Sequence, residues 1–446
     1  MTAKNRNSLS IKLNSFRKVN KALHFVTFTD NVQRRLLKMS SWKNDKEIEI
    51  FREYLRIPSV HPDIDYVHTR TSIFVAPVVE FLRKQAADLE LPIEVYQPGS
   101  PSKPAVVITW VGEQPEQPTI MLNSHMDVVP VYSEKWTHPP FAADIDNDGR
   151  IFARGAQDMK CVGMQYLAAI RRLRKDGVTL KRTIHVTFIP DEEISGEMGM
   201  KAFLKSAEFK KLNVGFCLDE GIASANETFS VFYAERSLWH VHFLISGTSG
   251  HGSLLHKNTV GQKLQNILNK LMEFRQNEID RLENDPSLRL GDVTTVNLTV
   301  IKGGVQSNVV PSTLEVVFDM RLALNVDHDN FDRQLRAWCV EAGGGIEIQY
   351  EQKEAKVEAT KIDSSNLFWV AFEKATTELN LKIQPLVFPA GTDAIYIRDA
   401  GIPAIGFSPI NNTPVLLHDH DEFLQADVYL KGIVIYKKII SAIGNA

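Results

Sequence analysis

The sequence predicts an α/β protein in which a larger domain, with helices on both faces of its sheet, is interrupted by a smaller α+β unit. Three observations lead to this prediction. Helix and strand patterns alternate from residue 45 to about 235 and return after 353. Between them lie strands of alternating polarity, typical of antiparallel pairs. The length of 446 residues also exceeds what one hydrophobic core normally supports.

Composition excludes several classes of protein. The chain is 43% hydrophobic and 24% charged, with a formal net charge of −3, which gives no sign of a nucleic-acid-binding surface. No apolar run approaches the length of a membrane span. The three cysteines, Cys161, Cys217 and Cys339, show no metal-type spacing. An odd number of cysteines without a secretory signal favours a reducing, cytoplasmic setting.

The first 42 residues differ from the rest and are interpreted as a basic, disordered extension. Residues 1–38 hold nine Lys or Arg and one acid, Asp30. An Arg-rich, acid-poor start is also typical of a mitochondrial presequence. A third interpretation is a translation start assigned too early, because Met39 directly precedes a plausible helix start. We favour a dispensable extension.

Residues 43–235 are predicted to form the first part of the larger domain. Amphipathic spacing predicts helices near 48–55, 75–89 and 159–175. Short apolar runs predict strands at 106–110, 119–122, 183–189 and 214–218. The pair Asp148-Gly149 is a hairpin signal before a further short strand at 151–153.

Residues 236–352 are predicted to form the inserted unit, and 353–446 the second part of the larger domain. Alternating strands are expected at 239–245, 294–301, 314–322 and 346–350, with helices at 260–282 and 328–342. Beyond the insertion, a helix at 368–379 and a strand at 404–407 restore the first pattern. The inserted unit thus separates two halves of one α/β domain.

Acids and imidazoles recur at the predicted strand ends. Each acidic pair alone is typical of a helix cap or a solvated loop. Five such sites are hard to explain by capping, and strand ends of an open α/β sheet meet at its ligand crevice. Carboxylate oxygens and imidazole nitrogens are ligands for divalent metals, so we favour a two-metal site. The groups are His125 with Asp127, Asp158, the acids at 191–193, Asp219 with Glu220, and His418.

Glu192 and Glu193 are adjacent, so their side chains diverge. One can bind a metal while the other stays free beside a water molecule. An ion lowers the pKa of such a water, and a free carboxylate can take its proton. This pairing predicts metal-assisted hydrolysis.

Seven motifs in order resemble the family of co-catalytic zinc amidohydrolases and peptidases, and within it the aminoacylase branch. The resemblance runs from about residue 45 to the C-terminus. It implies a zinc-peptidase-like catalytic domain on a mixed sheet, with an inserted dimerisation or lid domain. The motifs are LNSHMDVVP at 122–130, ARGAQDMK at 153–160, PDEE at 190–193, LDEG at 218–221, GH at 250–251, GGVQSNVVP at 303–311 and LHDHDE at 417–422.

The resemblance implies two zinc ions per chain and a role for each matching residue. Asp158 would bridge the ions, with His125 and Glu220 on one and Glu193 and His418 on the other. Asp127 would orient His125, and Glu192 would act as general base. His418 is preferred over His420 because the family pattern is His-x-x-Asp-Glu. The peptide bond between Asp158 and Met159 is expected to be cis.

The resemblance also implies a homodimer in which His251 stabilises the oxyanion in the neighbouring subunit's site. The sequence alone favours a solvated loop histidine. Asn308 and Arg321 would assist substrate binding, although Asn308 could only shape a turn and Arg321 could pair with Asp319 or Glu315. Gly391 and Thr392 match a substrate loop, but Ala394-Ile395 stands where polar side chains are common. Arg398 is near this loop in sequence and is a further candidate for substrate binding.

The resemblance implies zinc-dependent hydrolysis of N-acyl-L-amino acids, preferably N-acetyl ones, to a carboxylate and a free amino acid. Other interpretations stay open. The same motifs suit a dipeptidase or a deacylase of another acyl group. An inactive dimeric scaffold is a further alternative, and it would not need to retain zinc. The motifs do not identify the amino-acid side chain.

Overall fold

The computed structural model describes residues 42–60 and 76–446. The predicted basic extension, apart from its last residue, lies outside the described residues, as does the first residue of the helix predicted at 75–89. Among the described residues, no helix combines the length and hydropathy needed to cross a bilayer.

A mixed sheet, called the main sheet below, forms the centre of the protein. In the described part of the chain it has eight strands in the order β1-β2-β6-β3-β7-β16-β8-β15. Strands β6, β3, β7 and β16 run parallel, whereas β1 and β2 add to one side antiparallel. The strands are β1 (Ile93–Ser100), β2 (Lys103–Trp110), β3 (Thr119–His125), β6 (Ile184–Ile189), β7 (Val214–Asp219), β8 (Phe229–Glu235), β15 (Ile383–Phe388) and β16 (Ala404–Gly406).

Helices cover both faces of the main sheet. Successive strand residues point to opposite faces, so Ile120 and Leu122 join one apolar core while Met121 joins the other. The larger core packs α1 (Lys46–Leu55), α2 (Ala76–Asp88), α3 (Lys160–Lys175), α8 (Leu367–Glu378) and α10 (Ala426–Ile443). The smaller core packs α4 (Met200–Lys205), α5 (Ala207–Lys211) and α9 (Asp393–Asp399).

A short sheet, called the flanking sheet, lies beside the main sheet. It has the order β17-β5-β4, and β5 pairs antiparallel with both neighbours. Gly149 lies at the β4–β5 turn with φ of 82°, a conformation that suits glycine. The pairing of β5 with β17 joins segments about 270 residues apart. The strands are β4 (Asp144–Ile145), β5 (Arg150–Phe152) and β17 (Phe423–Gln425).

The middle of the chain forms a separate antiparallel sheet, called the middle sheet, in the order β11-β13-β9-β14. Alternate residues of β9, from Trp239 to Ile245, are buried against two helices, whereas the residues between them are half-buried on the open face. The elements are β9 (Ser237–Ser246), β11 (Thr295–Gly303), β13 (Thr313–Leu322), β14 (Ile346–Lys353), α6 (Val260–Asn284) and α7 (His328–Glu341), with β10 (Gly250–His251) and β12 (Val309–Val310) pairing separately.

The predicted fold class is confirmed by the mixed main sheet, its helices and the antiparallel middle sheet. Most predicted elements lie within a few residues of the observed ones. The elements that were not predicted are strands β1, β4, β8, β10, β12, β15 and β17 and helices α4, α5, α9 and α10. The boundaries of the predicted domains stay a prediction.

Candidate metal centre

Three neighbouring parallel strands deliver the central side chains. His125 is the last residue of β3, the middle strand of the trio β6-β3-β7. Glu192 and Glu193 follow the end of β6 in a 3-10 helix, and Glu220 directly follows β7. Because parallel strands present their carboxyl ends at one edge, these acids converge on His125 from both sides.

His125 is buried and three carboxylates face its Nε2 atom. Its distances are 2.9 Å to Asp158 Oδ1, 3.5 Å to Glu220 Oε1 and 3.9 Å to Glu192 Oε2. An imidazole nitrogen carries at most one hydrogen, so Nε2 can donate to only one of these oxygens. The spare acceptors therefore leave an excess of negative charge at this point.

The flanking sheet supplies the other two predicted ligands. Asp158 lies between β5 and α3, and His418 lies in the segment that leads to β17. The two oxygens of Asp158 face different imidazoles, since Oδ1 is 2.9 Å from His125 Nε2 and Oδ2 is 3.3 Å from His418 Nε2. His418 Nε2 is also 3.0 Å from Glu193 Oε2. This is the arrangement expected of a bridging carboxylate.

Two details agree with the sequence expectations. The Asp158–Met159 peptide bond is cis. His420 does not take the position of His418, because its ring contacts Tyr132 edge-on at 6.5 Å between centroids.

Asp127 positions its neighbours in a way that the sequence did not predict in detail. His125 Nδ1 lies 2.9 Å from the backbone oxygen of Asp127 and 3.7 Å from its carboxylate. That carboxylate accepts hydrogen bonds from the backbone amides of Glu192 (3.3 Å) and Glu193 (3.2 Å). Asp127 therefore links His125 with the turn that carries both glutamates.

The electrostatics of the cluster suit a cation. Burial, reinforced by neighbouring carboxylates, raises the pKa of Glu192 and of Glu220 well above the ordinary value. Burial alone would lower the pKa of His125, but the charges of Glu220, Asp158 and Glu192 raise it well above the ordinary value. Hydrogen bonds that His418 donates to the carboxylates of Asp158 and Glu193 raise the pKa of His418 to about 10. The cluster thus favours bound positive charge.

The donor set fits divalent metal ions. Two groups of side chains have ligand atoms within 4.8 Å of one another. One group is His125, Glu192 and Glu220; the other is His125, Asp158 and Glu193. Imidazole nitrogens and carboxylate oxygens are the ligands that zinc and similar ions use. The first group includes Glu192, which the sequence resemblance reserves for the general base.

His251 and Asn308 lie together, but on the middle part of the chain. His251 pairs with Val309 in the β10–β12 ladder, and the Gly252 amide donates to the Asn308 carbonyl oxygen. The exposed His251 ring lies 2.8 Å from Ser253 Oγ. No contact recorded among the described residues joins either side chain to the acidic cluster.

The other predicted substrate residues are engaged in local contacts. Arg321 pairs with Asp319 at 3.0 Å on the middle sheet, which is one of the alternatives left open by the sequence. Thr392 caps α9 and donates its amide and hydroxyl to Glu235, while Gly391 lies beside the same carboxylate.

Arg398 is also engaged. It is buried, pairs with Glu235 at 3.0 Å and donates to two backbone oxygens. These contacts give Arg398 a structural role rather than one at the substrate.

Several buried polar residues around the centre were not given roles from the sequence. Asn123 donates to Asp219 and to Asp393 beneath the β3 end. Lys103 forms an ion pair with Asp191, which precedes the two glutamates. Gln157 and Glu422 hold the segments on either side of Asp158 and His418. Gln157 and Glu422 stand inside quoted motifs, so their polar character beside the ligands was the available signal.

The sequence of this chain is similar to those of known proteins. Residues 121–442 match peptidase family M20/M25/M40. The chain is 45% identical over 398 residues to aminoacylase-1 of Homo sapiens, covering 89% of this chain and 95% of the relative. It is 41% identical over 419 residues to aminoacylase-1 of Dictyostelium discoideum, covering 91% of this chain and all of the relative.

A solved structure shares the fold. The M20 family metallo-carboxypeptidase Sso-CP2 from Sulfolobus solfataricus superposes with a TM-score of 0.67 at 19% identity, covering 90% of this chain and 99% of that one. At this identity the likeness concerns the fold alone.

Proposed function

The chain belongs to peptidase family M20/M25/M40, and from that membership we propose that it is a metal-dependent amidohydrolase acting on N-acyl-L-amino acids, with N-acetyl substrates preferred. One observation carries the proposal: the oxygens of a single buried carboxylate, Asp158, face two imidazoles among further acids. The identity of 45% to human aminoacylase-1, along 95% of that protein, supports this substrate class.

We assign two zinc ions per chain to the cluster. His125 and Glu220 would hold one ion, Glu193 and His418 the other, and Asp158 both. When bound, the ions polarise the amide carbonyl and lower the pKa of the attacking water. The two imidazoles and the excess of buried carboxylates support this assignment.

Glu192 carries out both proton transfers. It takes a proton from the water as the water oxygen bonds to the acyl carbon, and it passes that proton to the amide nitrogen as the C–N bond breaks. The products are a carboxylate and a free amino acid. Asp127 holds the Glu192 amide at 3.3 Å and so fixes the base beside the reacting centre.

We further propose a homodimer in which His251 of the partner subunit supplies the oxyanion donor. In one chain the His251 ring is exposed and contacts Ser253. Leu254 and Leu255, which follow His251 in sequence, are 60% and 103% exposed, and Val305, which precedes β12, is 87% exposed. Apolar side chains exposed to this degree around a polar group are typical of a surface that another chain covers.

Substrate binding and location complete the proposal. We assign four residues to substrate binding: Asn308, Arg321, Gly391 and Thr392. For Arg321 this requires the carboxylate of the substrate to compete with Asp319.

The three cysteines are buried and unpaired, which supports a reducing, cytoplasmic setting.

A substrate panel tests the function. Zinc-loaded and chelator-treated protein would be assayed against N-acetyl amino acids, amino acids with longer acyl groups, and dipeptides. We expect zinc-dependent cleavage, with kcat/KM for the best N-acetyl substrate at least about tenfold above that for dipeptides. Equal or faster dipeptide cleavage would contradict the substrate class, and unchanged turnover after chelation would contradict the metal.

A further inference from the structure

The segment that carries His418 is irregular and needs support. Residues 407–422, between β16 and β17, contain no helix or strand. Three non-glycine residues in it have positive φ: Asn412 (51°), His418 (62°) and Asp421 (52°). Such residues cost on the order of 1 kcal/mol each and persist only where the surroundings enforce them. The position of His418 is therefore not set by the local backbone preference.

The side chain of Gln157 contacts the backbone on both sides of His418. Its Nε2 atom donates to the carbonyl oxygens of Pro414 (3.1 Å) and Phe423 (2.8 Å). Its Oε1 atom accepts from the amide of Leu416 at 3.1 Å. Gln157 is 2% exposed, so water does not readily replace these three bonds.

Glu422 makes the reciprocal attachment. Its Oε1 accepts from the amides of Gln157 (2.6 Å) and Asp158 (3.3 Å), and its Oε2 accepts from the Gly155 amide (3.1 Å) and from Arg154 (2.8 Å). The carboxylate is fully buried. The segment of Asp158 and the segment of His418 thus hold each other through side chains at positions 157 and 422.

We propose that Gln157 is a positioning residue that sets His418 at ligand distance from Asp158 and Glu193, and thereby sets the affinity of the ion that His418 and Glu193 hold. The inference rests on the two-ion assignment proposed above. Gln157 directly precedes Asp158, so one backbone segment presents the shared carboxylate and grips the His418 segment. The ion held by His125 and Glu220 depends instead on β3 and β7, which Gln157 does not contact through the hydrogen bonds described.

The test compares Gln157→Met with Gln165→Met. Gln165 is a matched control because it is a fully buried glutamine on α3 that donates to one backbone oxygen, that of Tyr429, at 3.0 Å. Zinc content and stepwise zinc affinity would be measured by elemental analysis and by titration against a chelator, without substrate. Circular dichroism of the metal-free proteins would establish that each is folded.

For Q157M we expect one of two ions to bind 10–100-fold more weakly, as is typical when a group supporting a metal ligand is removed. The other ion should keep its affinity within about threefold, as should both ions in Q165M. Gln157→Glu is a second variant. It keeps the acceptor for Leu416 but loses both donors, and it should weaken the same ion.

The outcomes separate this inference from the proposed function. Two ions bound normally in Q157M and Q157E would overturn the positioning role, as would equal weakening of both ions or an equal effect in Q165M. If neither Gln157 variant folds while Q165M does, the residue supports the fold rather than one ion, and the inference is wrong. A wild-type protein that binds one ion would contradict the two-ion assignment itself.

Discussion

Among the described residues, a histidine stands beside carboxylates both at the edge of the main sheet and on the open face of the middle sheet. At the edge, His125 is buried and directs one nitrogen toward three carboxylates. On the open face, His242 gives each nitrogen its own partner, Glu315 at 2.7 Å and Glu351 at 3.0 Å. The residue types are the same, but the arrangement is not.

The difference shows which arrangement of histidine and carboxylates suits a metal ion. One-to-one pairs such as His242 with Glu315 and Glu351 are satisfied by a proton on the imidazole. Several buried acids around one nitrogen exceed what a proton can balance, and burying unbalanced charge is costly. Convergence and burial, rather than the presence of His and Glu, thus distinguish the edge of the main sheet.

The largest expected effect comes from Glu192→Gln. The amide cannot accept the proton of the attacking water, so kcat should fall about 10²–10⁴-fold, while zinc content stays unchanged. Stopped assays at saturating substrate and elemental analysis would measure both. Glu351→Gln on the open face is the control and should leave kcat within about twofold. Comparable losses in both variants would erase the distinction between the two regions.

Mixing two inactive variants tests whether the middle part of the chain completes the neighbouring site. His251→Gln should lower kcat about 10²–10³-fold, as for other oxyanion donors. In a mixed dimer of H251Q and E192Q, one of the two sites has both Glu192 and His251. Random pairing should then restore about a quarter of wild-type activity.

The control for the mixing experiment is each variant refolded or co-expressed with itself alone. Activity that stays at the level of the separate variants would show that His251 does not serve the partner's site. Full activity of H251Q alone would remove it from the reaction.

The clustering of these candidate ligands could be predicted because strand ends are a local signal. His125, the glutamates at 192–193 and Glu220 follow apolar strands, and parallel order brings such ends together. The contacts of Gln157 with residues 257–266 positions away have no local pattern. The Asn123–Asp219–Asp393 contacts also join distant segments, so they require the tertiary structure.

The elements that were missed have a similar explanation. Strand β1 has exposed and half-buried residues in irregular order, and β15 contains a proline at 385, which weakens a strand pattern. Helix α10 is apolar on most sides because it packs against α3 and α8, so it lacks a clear amphipathic period.

The smallest expected effect belongs to His242→Gln. Hydrogen bonds to Glu351 and Glu315 raise the pKa of His242 above its ordinary 6.5, so its contribution to stability is complete below pH 6.5 and is lost as pH rises through the folded-state pKa. Contact with His242 lowers the pKa of Glu351 and Glu315 below 4.5, so the contribution also fades in acid. His240 with Asp319 lies beside this group, and Lys302 faces Glu315.

H242Q should therefore lower the Tm by about 1–2 °C near pH 6, a small effect because the group is partly exposed, and by less near pH 9. Scanning calorimetry of zinc-loaded protein at both pH values would measure the difference, with Glu351→Gln as a second variant of the same sign. Zinc content and kcat should not change. A one-to-one pair at the surface should not affect the buried cluster. A loss of zinc or of turnover in H242Q would therefore mean that the open face takes part in the chemistry.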